Sequence, residues 1–372
     1  MELRMLLIAL HQTPGVGRRS IARLIADGLL TEELLQFSCE QWEGLGFSIE
    51  ISERLAQHLS ADANSMKQQE EERAWGMQIM TILDESYPEL LKESPDPPLV
   101  LYAKGDTGLL RQPAIAMVGT RVPTAYGRKM SEELAQGLCS GGFSIVSGLA
   151  RGIDSICHEA ALSCDGGTIA VMATGMDVVY PPENRALYAK MVQKGLVLTE
   201  YPPGTKLHPG LFPQRNRIIA GLSLGTLVVE ADERSGSLIT ADAALDADRD
   251  VFAVPGQVTS PKSRGALNLI RQGAKMVCGA ADILEEYDSW LPKGLNNTYN
   301  RERQVNEASA GGEGHLTTDE LRLYHILEQG PFTLDELLQR SRWDFGHLHS
   351  VLLSLIIKKQ ITQLPGAIYK TI

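Results

Sequence analysis

The chain has 372 residues, 43% hydrophobic and 22% charged, with a formal net charge of −11. That length exceeds one ordinary domain, and that balance belongs to a globular protein, not a disordered or fibrous one. No run approaches the roughly eighteen uninterrupted apolar residues of a membrane-spanning helix, and the acidic total excludes polyanion binding through overall charge alone.

The apolar start, MELRMLLIAL, runs directly into a Pro-Gly turn with no small-residue cleavage site. It reads as a core helix, not a signal peptide. Residues 1–75 read as a helical domain. Its strongest local feature is Thr13-Pro14-Gly15-Val16-Gly17 before an amphipathic run, the pattern of a helix-hairpin-helix, with a degenerate copy at Leu45-Gly46-Phe47. Such a turn can aim backbone N–H groups at phosphate, but acidic side chains outnumber basic ones here, so a plain packing module is the competing reading. Residues 76–113 connect. Their prolines exclude a long helix, and Leu99-Val100-Leu101-Tyr102 is strand-like.

From Ala114 short apolar runs recur at 114–118, 143–146, 168–173, 196–199, 225–229, 251–254 and 275–278, with helix-like stretches between most of them. Apolar strands alternating with amphipathic helices predict a doubly wound, mainly parallel α/β sheet. The expected domain is 76–289, with its core at 114–280. Residues 290–315, polar and Gly-rich, read as a linker. In 316–372, three helix-sized pieces and a β-like tail turning at Pro365-Gly366 suggest a winged helix.

In such a sheet, ligands bind beyond the carboxyl ends of the strands. There the chain places Gly119-Thr120-Arg121 with Tyr126-Gly127, then Ser147-Gly148 with Arg151-Gly152, and later Ser235-Gly236-Ser237. Glycines let a ligand approach the backbone, and helix N-termini stabilise anions. Neither GxGxxG nor GxxxxGK[ST] follows the first strand, which argues against NAD and ATP. The five cysteines, Cys39, Cys139, Cys157, Cys164 and Cys278, form no CxxC pair. No metal site or disulfide framework is expected, and a reducing cytoplasm is the simplest location.

Between the fourth and fifth runs lie Lys206, His208, Phe212, Gln214, Arg215, Asn216 and Arg217, a basic and aromatic stretch in an acidic chain. Cations plus a stacking ring suit single-stranded nucleic acid. A second reading stays open, in which Phe212 plugs the core and Arg215 and Arg217 pair with Glu230 and Asp232. No nucleophile elbow marks a catalytic set. Asp154 reads as a helix cap, His158 as a packing residue, and Glu200 and Glu230 as carboxylates that order loops.

The motifs GTRxxxxYG (119–127), SGLARGID (147–154), TGMDVVYPPEN (174–184), EYPPG (200–204), FPQRNRIIAGLS (212–223), SGSLITA (235–241), FAVPG (252–256) and GALNLIRQGA (265–274) resemble the DprA (Smf) family of DNA-processing proteins. The resemblance implies an extended Rossmann-like domain that binds single-stranded DNA and forms a homodimer. It also implies an N-terminal helical (SAM-like) domain and a winged-helix-like tail. Proteins of that family protect incoming DNA during natural transformation and help load RecA, without cofactor or catalytic role. By position, Arg121 is the phosphate-gripping arginine, Gly119 and Thr120 are neighbouring donors, and 212–217 continue the track. Thr120 stands where many members carry Ser, and Cys157 where Ala is usual. For the tail, contact with protein is as good a reading as contact with DNA. The same sheet also resembles nucleotide-processing phosphoribohydrolases of the lysine-decarboxylase-like group, but their PGGxGT motif is absent.

Overall fold

Each of the seven apolar runs forms a strand in the computed structural model, which describes residues 2–59, 76–164, 166–287, 318–341, 343, 345–358, 360–364 and 368–371. The strands are β1 Gln78–Thr81, β2 Val100–Gly105, β3 Ala114–Val118, β4 Ser144–Ser147, β5 Thr168–Met172, β6 Leu196–Thr199, β7 Gly225–Val228, β8 Asp250–Ala253 and β9 Lys275–Met276. They make one sheet in the order β1-β2-β6-β5-β4-β3-β7-β8-β9. From β6 to β9 every pairing is parallel; β2 joins β6, and β1 joins β2, antiparallel. Every residue of β3 to β7 is buried, as a sheet covered on both faces requires.

Single-turn helices are left unnumbered. Four helices precede the sheet: α1 Glu2–Gln12, α2 Arg18–Ala26, α3 Cys39–Gly44 and α4 Ile49–His58. The crossover helices are α5 Ala125–Ser140, α6 Ile153–Leu162, α7 Arg185–Lys194, α8 Leu211–Gly221, α9 Leu238–Asp246 and α10 Arg264–Arg271. Side chains alternate across each strand, so each strand feeds two cores. Ile169 and Val171 belong to a core that also holds Ile218 and Ile219 of α8, Ala241 and Ala244 of α9 and Leu269 of α10. Ala170, Met172 and Val197 face Leu187 and Met191 of α7.

The N-terminal helices join that second core through Leu6, Leu7, Leu10 and Trp42. Trp42 meets Phe37 and Phe47 edge-on, at 5.6 Å in each case. Residues 1–293 accordingly group as one compact unit and 294–372 as a second. The linker expected at 290–315 lies outside the described residues.

The second unit contains α11 Thr318–Leu327, β10 Phe332–Thr333, α12 Leu334–Ser341, α13 Phe345–Ile357, β11 Ile361–Leu364 and β12 Ile368–Thr371. Its strands pair antiparallel in the order β10-β12-β11. Leu323, Leu337, Leu348, Leu352 and Tyr369 fill its core. This is a winged helix; the expected turn at Pro365-Gly366 lies outside the described residues. Among the described residues no helix is long and apolar enough to cross a membrane.

Candidate functional site

Chain order runs outward from β3 in both directions, through β4 to β6 on one side and β7 to β9 on the other. The switch point between β3 and β7 opens a cleft of about 400 Å³ at their carboxyl ends. Gly119, Thr120, Arg121, Phe212, Asn216 and the turn of Ser235 to Ser237 line it. A Cβ on Gly119 would stand 2.6 Å from the Ile153 side chain and 2.9 Å from the Glu230 carbonyl. Only glycine fits there.

Glu230 fixes the loop that carries Arg121. Its buried carboxylate accepts hydrogen bonds from the Thr124 N–H and hydroxyl, both at 2.8 Å. The Thr124 hydroxyl in turn accepts from Gly127 N–H and caps α5. Glu230 therefore orders the loop and does not pair with Arg215 or Arg217. Gly127 packs against that carboxylate. Tyr126 turns elsewhere: its hydroxyl donates to Pro255 carbonyl at 2.8 Å, in a neighbouring cleft.

Arg121 is exposed, and its guanidinium carbon lies 5.7 Å from the centroid of the Phe212 ring. No carboxylate pairs with it among the described residues. Phe212 is half-buried, and its other neighbour is Tyr180, at 5.8 Å. This cation–aromatic–aromatic array forms one rim of the cleft. Tyr180 was not among the residues singled out from sequence, although an aromatic just before Pro181-Pro182 beyond the third strand was a usable signal.

The β4–α6 loop is held from inside. Asp154, buried, accepts from Gly148 N–H at 3.0 Å and Ala150 N–H at 3.4 Å. It therefore ties the preceding loop, and the expected helix cap is not formed; the N-cap position is Gly152. Burial raises the Asp154 pKa, with Arg215 and the two N–H groups opposing. His158 accepts from Leu149 N–H through Nε2, so its Nδ1–H faces Thr168 Oγ1 at 2.7 Å. Burial holds it neutral, its pKa lowered to about 3. It is a packing residue. Ser147 donates to Met117 carbonyl at 2.6 Å and is buried.

The run 206–217 splits in two. Lys206 is an exposed loop residue without a carboxylate partner among the described residues, whereas α8 begins at Leu211. Arg215 points inward: Nη1 donates to Val171 carbonyl at 2.5 Å, and a Cβ on Gly148 would lie 2.5 Å from its Cζ. Burial lowers its pKa, with Asp154 opposing. Arg217 is held by the buried Glu200, at 2.7 and 2.5 Å, and by Asp96 at 3.3 Å. Neither arginine stands on the cleft rim as a free cation, because each answers a charge or carbonyl inside the fold. Gln214 is exposed and accepts from the Tyr201 hydroxyl at 3.3 Å. Asn216 donates to Gly236 carbonyl at 3.4 Å, which ties α8 to the turn where Ser235 and Ser237 share a hydrogen bond of 2.7 Å. Arg151 is exposed and paired with the exposed Glu183, a contact that water and salt screen. Among the described residues no cluster of His, Cys, Asp and Glu could hold a metal ion.

A family model described as DNA recombination-mediator protein A matches residues 78–288, and one described as the DprA winged helix domain matches 307–367. The chain is 34% identical to Protein Smf of Synechocystis sp. (strain ATCC 27184 / PCC 6803 / Kazusa), over 98% of this chain and 97% of that protein. The X-ray structure of DNA processing protein A from Streptococcus pneumoniae superposes with TM-score 0.67 and 38% identity, over 76% of this chain and 97% of that one. DNA processing protein A from Helicobacter pylori, whose structure is described for its single-stranded DNA binding mode, superposes with TM-score 0.53 and 32% identity, over 58% of this chain and 98% of that one.

Proposed function

The chain belongs to the DprA/Smf family of DNA-processing proteins, and on that premise we propose that it grips single-stranded DNA at the β3–β7 switch point. The observation that carries the reading is Arg121: an exposed arginine, without a carboxylate partner among the described residues, over the Phe212 ring at the mouth of a glycine-walled cleft. Arginine forks onto phosphate with paired hydrogen bonds, and a ring beside it offers a face for a base. Lys206, Gln214 and the turn of Ser235 to Ser237 extend the track along that edge, while Arg215, Asn216 and Arg217 support it from behind. Arg151 joins the track by exchanging Glu183 for phosphate.

The protein further shields incoming strands during natural transformation and delivers them to RecA, acting as a homodimer through the Rossmann-like domain in the cytoplasm. Five free cysteines suit that compartment. It binds and does not catalyse: incubation with nucleoside monophosphates releases no free base, and release would instead favour the phosphoribohydrolase reading. The deciding measurement is fluorescence anisotropy of labelled oligo-dT across a salt series. Arg121→Ala should weaken binding about tenfold or more, the loss expected for a charge-assisted contact, and to a similar degree for every sequence. Wild-type affinity in that variant at physiological salt would sink the assignment.

A further inference from the structure

Behind the track lies an ion cluster that phosphate binding does not explain. Glu200, at the end of β6, has a side chain only 5% exposed. It receives Arg217 of α8 at 2.7 and 2.5 Å and Arg18 of α2 at 3.7 Å. Asp96, from the Pro-rich loop before β2, joins the same two arginines: Arg18 by a short ion pair and Arg217 at 3.3 Å. Two guanidinium groups and two carboxylates balance. Arg217 leaves its Nε and Nη1 without a hydrogen-bond partner, and Arg18, paired with both carboxylates, is the second cation of the cluster.

The direction of these contacts matters. Phe212 and Arg217 are five residues apart on α8, about 140° around an α-helix. The cluster therefore holds the side of α8 away from the ring that stands at the cleft. Tyr201, next to Glu200, also donates to Gln214 in the first turns of α8. Arg18 opens α2 straight after the hairpin turn at 13–17, yet its guanidinium is spent on Asp96 and Glu200, not offered to solvent phosphate.

We infer that Arg18 is a positioning residue for DNA binding: it latches the N-terminal helices to the back of α8 and holds Phe212 in place without touching the strand. The inference rests on the proposed function. A residue acting through α8 lowers affinity but leaves the salt dependence alone, because no phosphate contact is lost. A direct contact changes the slope of log affinity against log salt by about 0.7 on a single strand.

The test is oligo-dT anisotropy on the full chain across a sodium chloride series. Arg18→Ala should bind about threefold to tenfold more weakly at each salt with the wild-type slope, and Arg18→Lys should recover most of the loss. In a Glu200→Gln background the Arg18→Ala loss should shrink, since the partner is already weakened. Asp96→Asn, at a half-exposed site, should act in the same direction with little risk to folding. Hydrogen exchange of 211–221 without DNA should rise in Arg18→Ala. Unchanged affinity, a lowered slope, or full additivity with Glu200→Gln would each overturn the latch. A wild-type chain that does not bind oligo-dT would refute the proposed function, and the exchange of α8 would then decide the latch alone.

Discussion

Gly152 sets where Arg121 stands. Its φ of +78° and ψ of −123° lie in a region that side chains with a Cβ avoid. A Cβ there would also meet backbone, the Thr120 carbonyl oxygen and the Arg121 carbonyl carbon at 2.6 Å. Backbone cannot swing aside as a flexible side chain can. Gly152→Ala should therefore destabilise the fold by about 2–4 kcal/mol, read by urea unfolding, and weaken oligo-dT binding through the displaced Arg121 loop. A stable variant with intact binding would contradict that account. His158 makes a second residue-scale prediction. Its folded pKa of about 3 lies below its ordinary 6.5, so between those values the unfolded chain binds a proton that the folded chain refuses. Its contribution is complete above pH 6.5 and is lost as pH falls toward 3, at about 1.4 kcal/mol per unit. Asp154, raised by burial, acts in the opposite sense, so the comparison with His158→Gln isolates the imidazole. That variant should lose about 2 kcal/mol less than wild type between pH 7 and pH 5. Parallel pH profiles for the two proteins would show that His158 does not titrate in this way.

At the scale of elements, the parallel core was legible because buried strands are nearly all apolar and helices intervene. β3 and β6 fall where the runs at 114–118 and 196–199 place them. The edge was harder. β1 is four residues with Gln78 exposed at its start, too short and too weakly patterned to separate from the connecting region, and its antiparallel pairing with β2 is a tertiary choice. The site was legible as residue types but not as directions. The basic run was legible by composition alone, whereas on α8 each residue turns about 100° from the last. Phe212 thus stays at the cleft while Arg215 goes to Val171 and Arg217 to Glu200. Neither Glu200 nor Val171 is near α8 in sequence, so no local pattern carried those partners. The same holds for Thr124 and Glu230, which are 106 residues apart. What sequence did carry was the glycines, whose positions report close backbone approach wherever the chain later folds.

For the whole molecule, a net charge of −11 and a grip on a polyanion are compatible only if the cations act locally. The second unit helps test this. Its α13 occupies the place of a recognition helix, yet its thirteen residues, FGHLHSVLLSLII, include no Lys or Arg. Phe345 and Leu353 are exposed on it at 58% and 47%. Reading a groove needs hydrogen-bonding and cationic side chains on that surface. Two arginines of the unit lie over rings instead, Arg322 over Trp343 and Arg340 over Phe332. The strand should therefore be held by the first unit alone. Because 1–293 forms a compact unit with its own cores, a chain ending at 293 should fold. It should bind oligo-dT within about threefold of the full chain, with an unchanged salt slope, since no phosphate contact is removed. A slope lower by about 0.7 or more would place a phosphate contact in the winged helix and move part of the DNA track out of the switch-point cleft.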